Sequence, residues 1–518
     1  MKKKAGAKIL LFMLLLALAQ KFLGFFREML LAQQFGTSIE TDAYIIGLTI
    51  PTVVFAAVLA AITTTYIPIY IKIQNQKGEV QANTFTNNLL LIVLLISLVA
   101  MIFCQIFAPF IVGIVGSGLS AEGNSIAVNL TRVSLLMLPL LTLIAMYKVY
   151  LEARSKYLMP AFINIPIIVI VIISLMFADK IGVLGVMIAN ILGAIIQVLI
   201  MAIYARKEGY HVRFKKINFK DKNLIEMSLL VIPVLIGTSV QQVNIAVDRI
   251  LGSRLGEGSI AALSFGQKIN EVFFGLISST ISTFIFPKLS NLNSSNLENQ
   301  FEELVRRSLN LVSLVVLPIT MIVIFYNEFI VRILFERGAF NEESTLLTSS
   351  ALLFYSIGML FLGFRDVLNR TFYSMGNTKT PMRNAAIATV SNIFLSIVLM
   401  NVIGFVGIPL ASSISSIITS TLLLISLRAT ISKFNFSSFI IVQIKILLSS
   451  LILIIVSKYC IGLLAPSESL EALFVAVGIL IGFLVYGLSL FFLRVKEVRM
   501  LVGGVLEKIK GRKEKRNE

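Results

Sequence analysis

Lys8–Gln33, KILLFMLLLALAQKFLGFFREMLLAQ, is long and apolar enough to cross a bilayer as a helix, yet it carries Lys21, Arg27 and Glu28. About 20 apolar residues span the roughly 30 Å hydrocarbon core, so the stretch reads as a membrane helix. A cation near the bilayer centre costs about 2.5–3.5 kcal/mol on insertion scales. Such residues therefore face a bundle interior or a wet cavity and mark a transport path. Their sign points to an anionic cargo. The basic start, MKKKAGAK, imitates a signal peptide, but no small-residue cleavage site follows and the apolar run continues through Lys21 to Leu31. An uncleaved first span is expected.

The rest of the chain has the same character. With 518 residues, 57% hydrophobic, 14% charged and a mean hydropathy of +0.91, it is too apolar for a soluble globule and reads as a polytopic membrane protein. The net charge of +18 has the size of a nucleic-acid footprint. The cations, however, cluster in short segments between apolar runs and in the tail, as membrane topology requires, and no nucleic-acid partner is expected. Cys104 and Cys460 lie far apart in apolar runs, which gives neither a disulfide framework nor a metal site. His211 stands alone in a basic loop and reads as solvated. Catalysis has little to work with, and an enzyme is not expected.

Apolar windows fall at 8–33, 42–70, 86–114, 126–147, 158–178, 182–204, 223–247, 259–286, 303–326, 345–369, 382–402, 405–427, 438–458 and 471–493. Fourteen transmembrane helices follow, in an all-α polytopic fold. With a cytoplasmic amino terminus, 33 Lys and Arg fall inside and five (Lys180, Arg254, Arg332, Arg337, Lys458) outside. This bias supports an even span count and two cytoplasmic termini.

The chain also repeats. Pro68 in Thr65-Tyr66-Ile67-Pro68 pairs with Pro287 in Thr283-Phe284-Ile285-Phe286-Pro287, Pro160 with Pro381, and Gly182-Val183-Leu184-Gly185 with Gly404-Phe405-Val406-Gly407. The separation along the chain is nearly the same in all three pairs. Three landmarks in one order at one offset argue for a duplicated six-span unit, a parallel repeat of two six-helix lobes plus two extra C-terminal helices. The resulting division is an N-lobe over 1–204, a basic cytoplasmic linker over 205–222, a C-lobe over 223–430, the extra spans over 431–493 and a basic cytoplasmic tail over 494–518. The linker is expected to set topology and to lie on anionic headgroups.

Lys21, Gly24 and Glu28 share a helical stripe with Arg27 beside it, so one face of span 1 is polar. Asp42 opens span 2, and Asp248-Arg249 closes span 7. In span 8, Lys268 and Glu271 stand i, i+3 and can pair. On one reading the ions only neutralise one another inside the bundle, and for Glu28, Asp42 and Glu271 that reading stays open beside a binding role. For the cations a binding role is favoured. Arg presents a planar fork to phosphate oxygens and Lys a mobile point charge, so together they suit a diphosphate. Arg365, Asp366 and Arg370 approach the cytoplasmic surface, where snorkelling or a local pair suffices. Glu336-Arg337-Gly338-Ala339-Phe340 followed by Asn341-Glu342-Glu343 reads as a tight turn and a helix start.

Leu23-Gly24-Phe25-Phe26-Arg27-Glu28, Phe35-Gly36, Thr41-Asp42-Ala43-Tyr44, Val247-Asp248 with Gly252-Ser253-Arg254-Leu255, Arg337-Gly338-Ala339-Phe340 and the run Arg370–Pro381 resemble signatures of the MurJ/MviN lipid II flippases of the multidrug/oligosaccharidyl-lipid/polysaccharide (MOP) exporter superfamily. The resemblance covers nearly the whole chain. It implies export of undecaprenyl-diphosphate-linked peptidoglycan precursor across the bacterial plasma membrane, with Lys21, Arg27, Lys268 and Asp42 matching its cavity residues; Glu28 and Glu271, beside those cations, complete the candidate substrate-binding set. It also implies a sodium site among spans 7, 11 and 12 in some members, for which Asp248 and Asn392 are the candidates here, with Ser396 where an acid would be expected. No cofactor is expected; a coupling monovalent cation, Na+ or H+, stays open. One departure is visible: Pro51–Ala61 is apolar where Gram-negative members carry paired arginines.

The expected mechanism is alternating access by a monomer. Two lobes rock about a midplane cavity while the lipid tail stays in the bilayer. The alternatives are a MOP exporter of another lipid-linked oligosaccharide and a multidrug/cation antiporter, which would favour acidic residues in the cavity. A membrane glycosyltransferase would need large outer loops and exposed carboxylates, and the outer loops here are short. No P-loop pattern is present, so a gradient or potential is expected to drive transport.

Overall fold

A computed structural model describes residues 2–213, 217–295, 297–431, 434–464 and 470–499. Among these the chain is almost wholly helical, with no strand. The first half holds α1 (Lys2–Phe35), α2 (Ile39–Thr49), α3 (Phe55–Lys77), α4 (Glu79–Ile106), α5 (Ala108–Val115), α6 (Ala121–Leu135), α7 (Met137–Ala153), α8 (Leu158–Phe162), α9 (Asn164–Met176) and α10 (Ala178–Lys207). The second holds α11 (Lys222–Ser253), α12 (Ser259–Ser294), α13 (Glu298–Phe325), α14 (Asn327–Phe335), α15 (Glu342–Ile357), α16 (Met359–Ser374), α17 (Lys379–Ile403) and α18 (Gly407–Thr430). The last two are α19 (Phe436–Leu464) and α20 (Glu471–Phe492).

The duplication extends to helix boundaries. The starts of α4, α6, α7 and α8 map onto those of α13, α15, α16 and α17 at the same near-constant offset as the sequence landmarks. Backbone conformation repeats as well. Gly182 and Gly404 have φ of +62° and +68°, and the corresponding pair Ser155 and Gly376 has φ of +59° and +72°. A left-handed turn thus follows α7 and α16 alike. The second copy uses glycine there, while the first holds a serine at a strain of about 1–2 kcal/mol.

Among the described residues ten helical stretches are long and apolar enough to cross a membrane, or eleven if the pair α15 and α16, bent by 41°, is one span. One of the ten, Lys379–Thr430, runs over 52 residues and contains both α17 and α18. Neither α1 nor α12, the two helices that carry Lys21, Arg27 and Lys268, is among the ten. The total therefore does not reach the expected fourteen. Several spans are also broken. Pro109 and Pro139 stand in the first turns of α5 and α7, where a missing N–H is tolerated and the preceding helix stops. At the α15–α16 bend the Gly358 N–H donates to Ser413 Oγ at 2.9 Å, and Ser413 in turn donates to the Phe354 carbonyl. In lipid a helix break persists only when its freed backbone groups find such partners.

The described chain forms two compact units. The first comprises 1–265, 334–347 and 400–408; the second comprises 266–333, 348–399 and 409–518. The first is centred on Tyr66, Tyr70, Phe85, Tyr147, Tyr150 and Tyr210. Arg154 closes this core by pairing with Glu79 and donating to Tyr150 at 3.3 Å. Burial works against its charge, but hydrogen bonds to Glu79 and Tyr70 outweigh that and raise its pKa above the ordinary value. The second unit is centred on Leu314, Leu317, Tyr326, Ile446, Leu453, Tyr486 and Leu490, so α19 and α20 pack on α13. Tyr486 satisfies its buried hydroxyl on the Leu314 carbonyl at 2.8 Å and Tyr326 shares a 2.8 Å bond with Ser457. Exposed Ile96, Ile102, Leu192, Val390, Phe394 and Leu484 present lipid-facing apolar surface. The tail from residue 500, Phe214, Lys215, Lys216 and Lys433 lie outside the described residues.

Candidate translocation site

The charges of α1 sit on a helix packed against α8 and α9, where Gln20 Nε2 donates to the Ala161 carbonyl. Lys21 is exposed, whereas Glu28 is buried and forms an ion pair with half-buried Arg27. On α12, Lys268 Nζ lies 2.8 Å from Glu271 Oε2, and Gln267 Nε2 donates to the other carboxylate oxygen at 3.2 Å. Two of the three expected cations thus have a neighbouring acid. Lys21 makes no ion pair among the described residues, so its ammonium is uncompensated there. Lys21, Arg27, Glu28, Asp42 and Asp248 belong to the first unit, and Lys268, Glu271 and Asn392 to the second.

Asp42 has partners that sequence reasoning missed. It is fully buried on α2, behind a helix start capped by Ser38, whose Oγ accepts from the Thr41 N–H at 3.3 Å. Its Oδ2 accepts from the Gly258 N–H and its Oδ1 from the Ala261 N–H, both at 2.7 Å. A carboxylate there completes the open N–H groups at the start of α12 and favours the positive end of its dipole.

Around this bond the turns of the first unit interlock. The Ala339 N–H donates to the Gln33 carbonyl at 2.8 Å, and a Cβ on Gly338 would collide with that same oxygen. The equivalent contact, one repeat earlier for the loop and one repeat later for its partner, sets Gly118 against Ser253. A Cβ on Gly118 would collide with the Ser253 carbonyl, while the Gly118 N–H donates to Ser253 Oγ at 3.2 Å. The loop after the third span of each half therefore grips the end of the first helix of the other half. Asn341 caps α15 by accepting from the Ser344 N–H at 2.9 Å, and Ser344 shares a 2.7 Å bond with Thr37. Phe335 lies at the centre of a ring cluster, with centroids 5.8 Å from Phe25, 5.3 Å from Phe265 and 5.6 Å from Phe340. The turn and helix start read at 336–343 are present, and they belong to this clasp. Gly338→Ala and Gly118→Ala should each force the paired loop away at a cost on the order of 1–3 kcal/mol. Thermal unfolding of the purified chain followed by size-exclusion profile should show both variants lowered, and Gly24→Ala, where a Cβ meets nothing within 4 Å, unchanged.

Asp248 Oδ1 and Asn244 Oδ1, one turn apart on α11, have no hydrogen-bond partner among the described residues, and the same holds for Asn392 Oδ1 and Ser396 Oγ on α17. Asn392 Nδ2 donates to Ser412 at 3.3 Å. These oxygens suit a proton or a small hard cation. No cluster of three His, Cys, Asp or Glu able to hold a metal occurs among the described residues. The apolar stretch after Pro51 begins in a π-helical turn, Ile50–Val54, between α2 and α3.

The duplicated helices define a transporter fold. It is shared with a multidrug resistance MATE family transporter of the MOP superfamily, in its inward-facing conformation, at a TM-score of 0.64 and 14% identity over 81% of this chain and 98% of that one. Within that fold, the family model described as lipid II flippase MurJ matches residues 31–484, and the chain belongs to that family. A probable lipid II flippase MurJ from Buchnera aphidicola subsp. Baizongia pistaciae is 28% identical over 426 residues, covering 80% of this chain and 82% of that protein. The solved structure of a lipid II flippase MurJ in an inward closed conformation superposes at a TM-score of 0.81 and 26% identity, covering 93% of this chain and 99% of that one.

Proposed function

We propose that this chain moves lipid II, the undecaprenyl-diphosphate-linked peptidoglycan precursor, from the inner to the outer leaflet of the bacterial plasma membrane by alternating access, without catalysis. The observation that carries the reading is the uncompensated ammonium of Lys21 beside the forked Arg27 on the first helix of a MurJ-family chain. The two side chains stand six residues apart on α1, roughly 9 Å along the axis, so both must reach along the helix to meet one diphosphate. Lys268 and Lys21 give point charges, which tolerate a changing geometry better than a fixed fork.

Both termini lie in the cytoplasm on this reading, which the 33 to five distribution of Lys and Arg supports. The clasp at Asp42, Gly118 and Gly338 is then on the outer side. An inside-negative potential favours outward movement of an anion by about 2.3 kcal/mol per charge per 100 mV, so the potential, with or without Na+ or H+ at Asp248 or Asn392, can supply the drive. The transporter works as a monomer, in two six-span lobes over 1–204 and 223–430 with 431–493 appended. The apolar Pro51–Ala61 segment favours one second reading, a carrier of another lipid-linked oligosaccharide whose headgroup needs fewer cationic contacts.

Complementation separates these readings. The chain should sustain growth of cells depleted of their own lipid II flippase, and Lys21→Gln should lower lipid II export by about tenfold or more, since a hydrogen bond to a charged group is worth about 1.5–3 kcal/mol. A wild-type chain that inserts correctly but sustains no growth would remove lipid II as the cargo. Retained export by Lys21→Gln would remove Lys21 from the site.

A further inference from the structure

We propose that Ser413 of α18 is a removable wedge in the α15–α16 helix pair: its hydroxyl, inserted into the backbone ladder, holds the 41° bend, and its withdrawal lets the ladder close and the pair straighten. In an uninterrupted helix the Gly358 N–H would donate to the carbonyl four residues back, that of Phe354. Here the buried Ser413 hydroxyl stands between the two. It accepts from the Gly358 N–H at 2.9 Å and donates to the Phe354 carbonyl, with the Tyr355 carbonyl as a second acceptor at 3.2 Å. A side chain inserted into the ladder in this way is one of the few causes of a sharp kink. Gly358 has φ −81° and ψ −10°, a conformation open to any residue, so its backbone does not require glycine. The close approach does, because a Cβ there would lie 2.8 Å from the Ser413 Cα. Returning Gly358 to a regular helical ψ takes a rotation of only about 30°, so the straight form is a small step away.

The first half makes the comparable break permanent. With the starts of α7 and α16 aligned, Gly358 corresponds to Leu136, which has φ −61° and ψ −16°. Both close a tight turn three residues back, the Leu136 N–H on the Val133 carbonyl at 3.2 Å and the Gly358 N–H on the Tyr355 carbonyl at 3.3 Å. Pro139 then stands in the first turn of α7 with no N–H to return to the ladder. Its counterpart in the second half, Phe361, keeps its N–H. Ile191, the counterpart of Ser413 at the offset of the paired glycines 182 and 404, has no hydroxyl to insert. One copy of the break therefore rests on covalent structure and the other on a contact from a different helix. Only the contact can be withdrawn. Ser420, two turns further along α18, donates to the Phe361 carbonyl at 2.6 Å, so α18 follows α16 beyond the bend without entering its ladder there. At its other end α15 is capped by Asn341 in the outer clasp. A bend set by α18 is thus carried along one helix to the clasp, which gives the wedge a mechanical output.

The test reads the bend by spin-label distances in the full chain in nanodiscs, with Cys104 and Cys460 replaced by Ser. The labels sit at Leu346 on α15 and at Phe325 at the end of α13, both exposed. Leu346 lies about 18 Å along the helix from Gly358, so complete straightening from 41° swings it sideways by about 12 Å. Ser413→Ala lets the Gly358 N–H meet the Phe354 carbonyl directly, the pairing that lipid favours, and should move the main distance population by about 5 Å or more. Adding Phe361→Pro to Ser413→Ala gives the second copy the proline of the first and should bring the parent distance back. Ser420→Ala removes the neighbouring bond but leaves the wedge, and its distances should match those of the parent. An unchanged distance in Ser413→Ala overturns the proposal, since the bend would then stand without the hydroxyl. An equal shift in Ser420→Ala overturns it too, by assigning the bend to the packing of α18 as a whole. So does a monodisperse Ser413→Ala/Phe361→Pro chain that stays at the distance of Ser413→Ala.

Discussion

Arg27→Gln is expected to abolish growth of cells that depend on this chain for lipid II export, and Glu28→Gln in the same molecule is expected not to restore it. The double variant is needed because Arg27 and Glu28 are paired. Removing the guanidinium alone leaves a buried carboxylate without its counter-ion, which costs about 3–5 kcal/mol in comparable pairs and would damage folding whatever Arg27 does for transport. With Glu28 neutralised that penalty is gone, and what remains is the loss of the forked donor. If Arg27 served only to compensate Glu28, the double variant would export normally. If it binds a diphosphate, export stays at least tenfold down while the amount of inserted protein recovers, and Arg27→Lys, with a charge but no fork, lies between. The interaction term of this cycle, measured on export and separately on protein level, distinguishes the two roles.

The helices were legible in the sequence because their signals are local. Apolar windows, the paired prolines at 160 and 381 and the paired glycines at 182 and 404 each act within a turn or two, and the near-constant offset between repeats then carries one half onto the other. The pair Lys268 and Glu271 was legible from its i, i+3 spacing; that Lys21 stays without an acid while Arg27 pairs with Glu28 came from the structure. The partners of Asp42 were not legible. They are backbone N–H groups in the other half of the sequence, and every residue except proline offers an identical N–H, so nothing in the composition of 258–261 marks it as a carboxylate's partner. Gly118 and Gly338 were hidden for a related reason. A glycine needed for close approach looks like any turn glycine until the carbonyl it touches is known. The insertion of Ser413 at the α15–α16 bend was likewise out of reach, because a serine on a helix reads as an ordinary small residue.

Asp42→Ala should open the outer clasp. Its carboxylate accepts two buried N–H bonds at 2.7 Å, and hydrogen bonds to a charged group contribute about 1.5–3 kcal/mol each. Without them the Gly258 and Ala261 amides lose their acceptor wherever the loops remain closed, so the closed arrangement alone is penalised. An equilibrium moves about tenfold for every 1.4 kcal/mol, which makes the expected shift about one hundredfold or more toward open loops. Spin labels at exposed positions 122, in the first turn of α6, and 257, in the turn before α12, should report it as a longer distance population that is scarce in the parent chain. Asp42→Asn sharpens the reading: it keeps the shape and one acceptor oxygen, but it points an amide donor at a backbone donor, so it should resemble the alanine variant more than the parent. Were Asp42 instead a ligand for the cargo, as its place among the charged residues at the start of the chain first suggests, both substitutions would lower export and leave the spin-label distances as they are. The clasp account requires distance and export to change together, because a transporter whose outer side no longer closes cannot hold its headgroup site open to the cytoplasm.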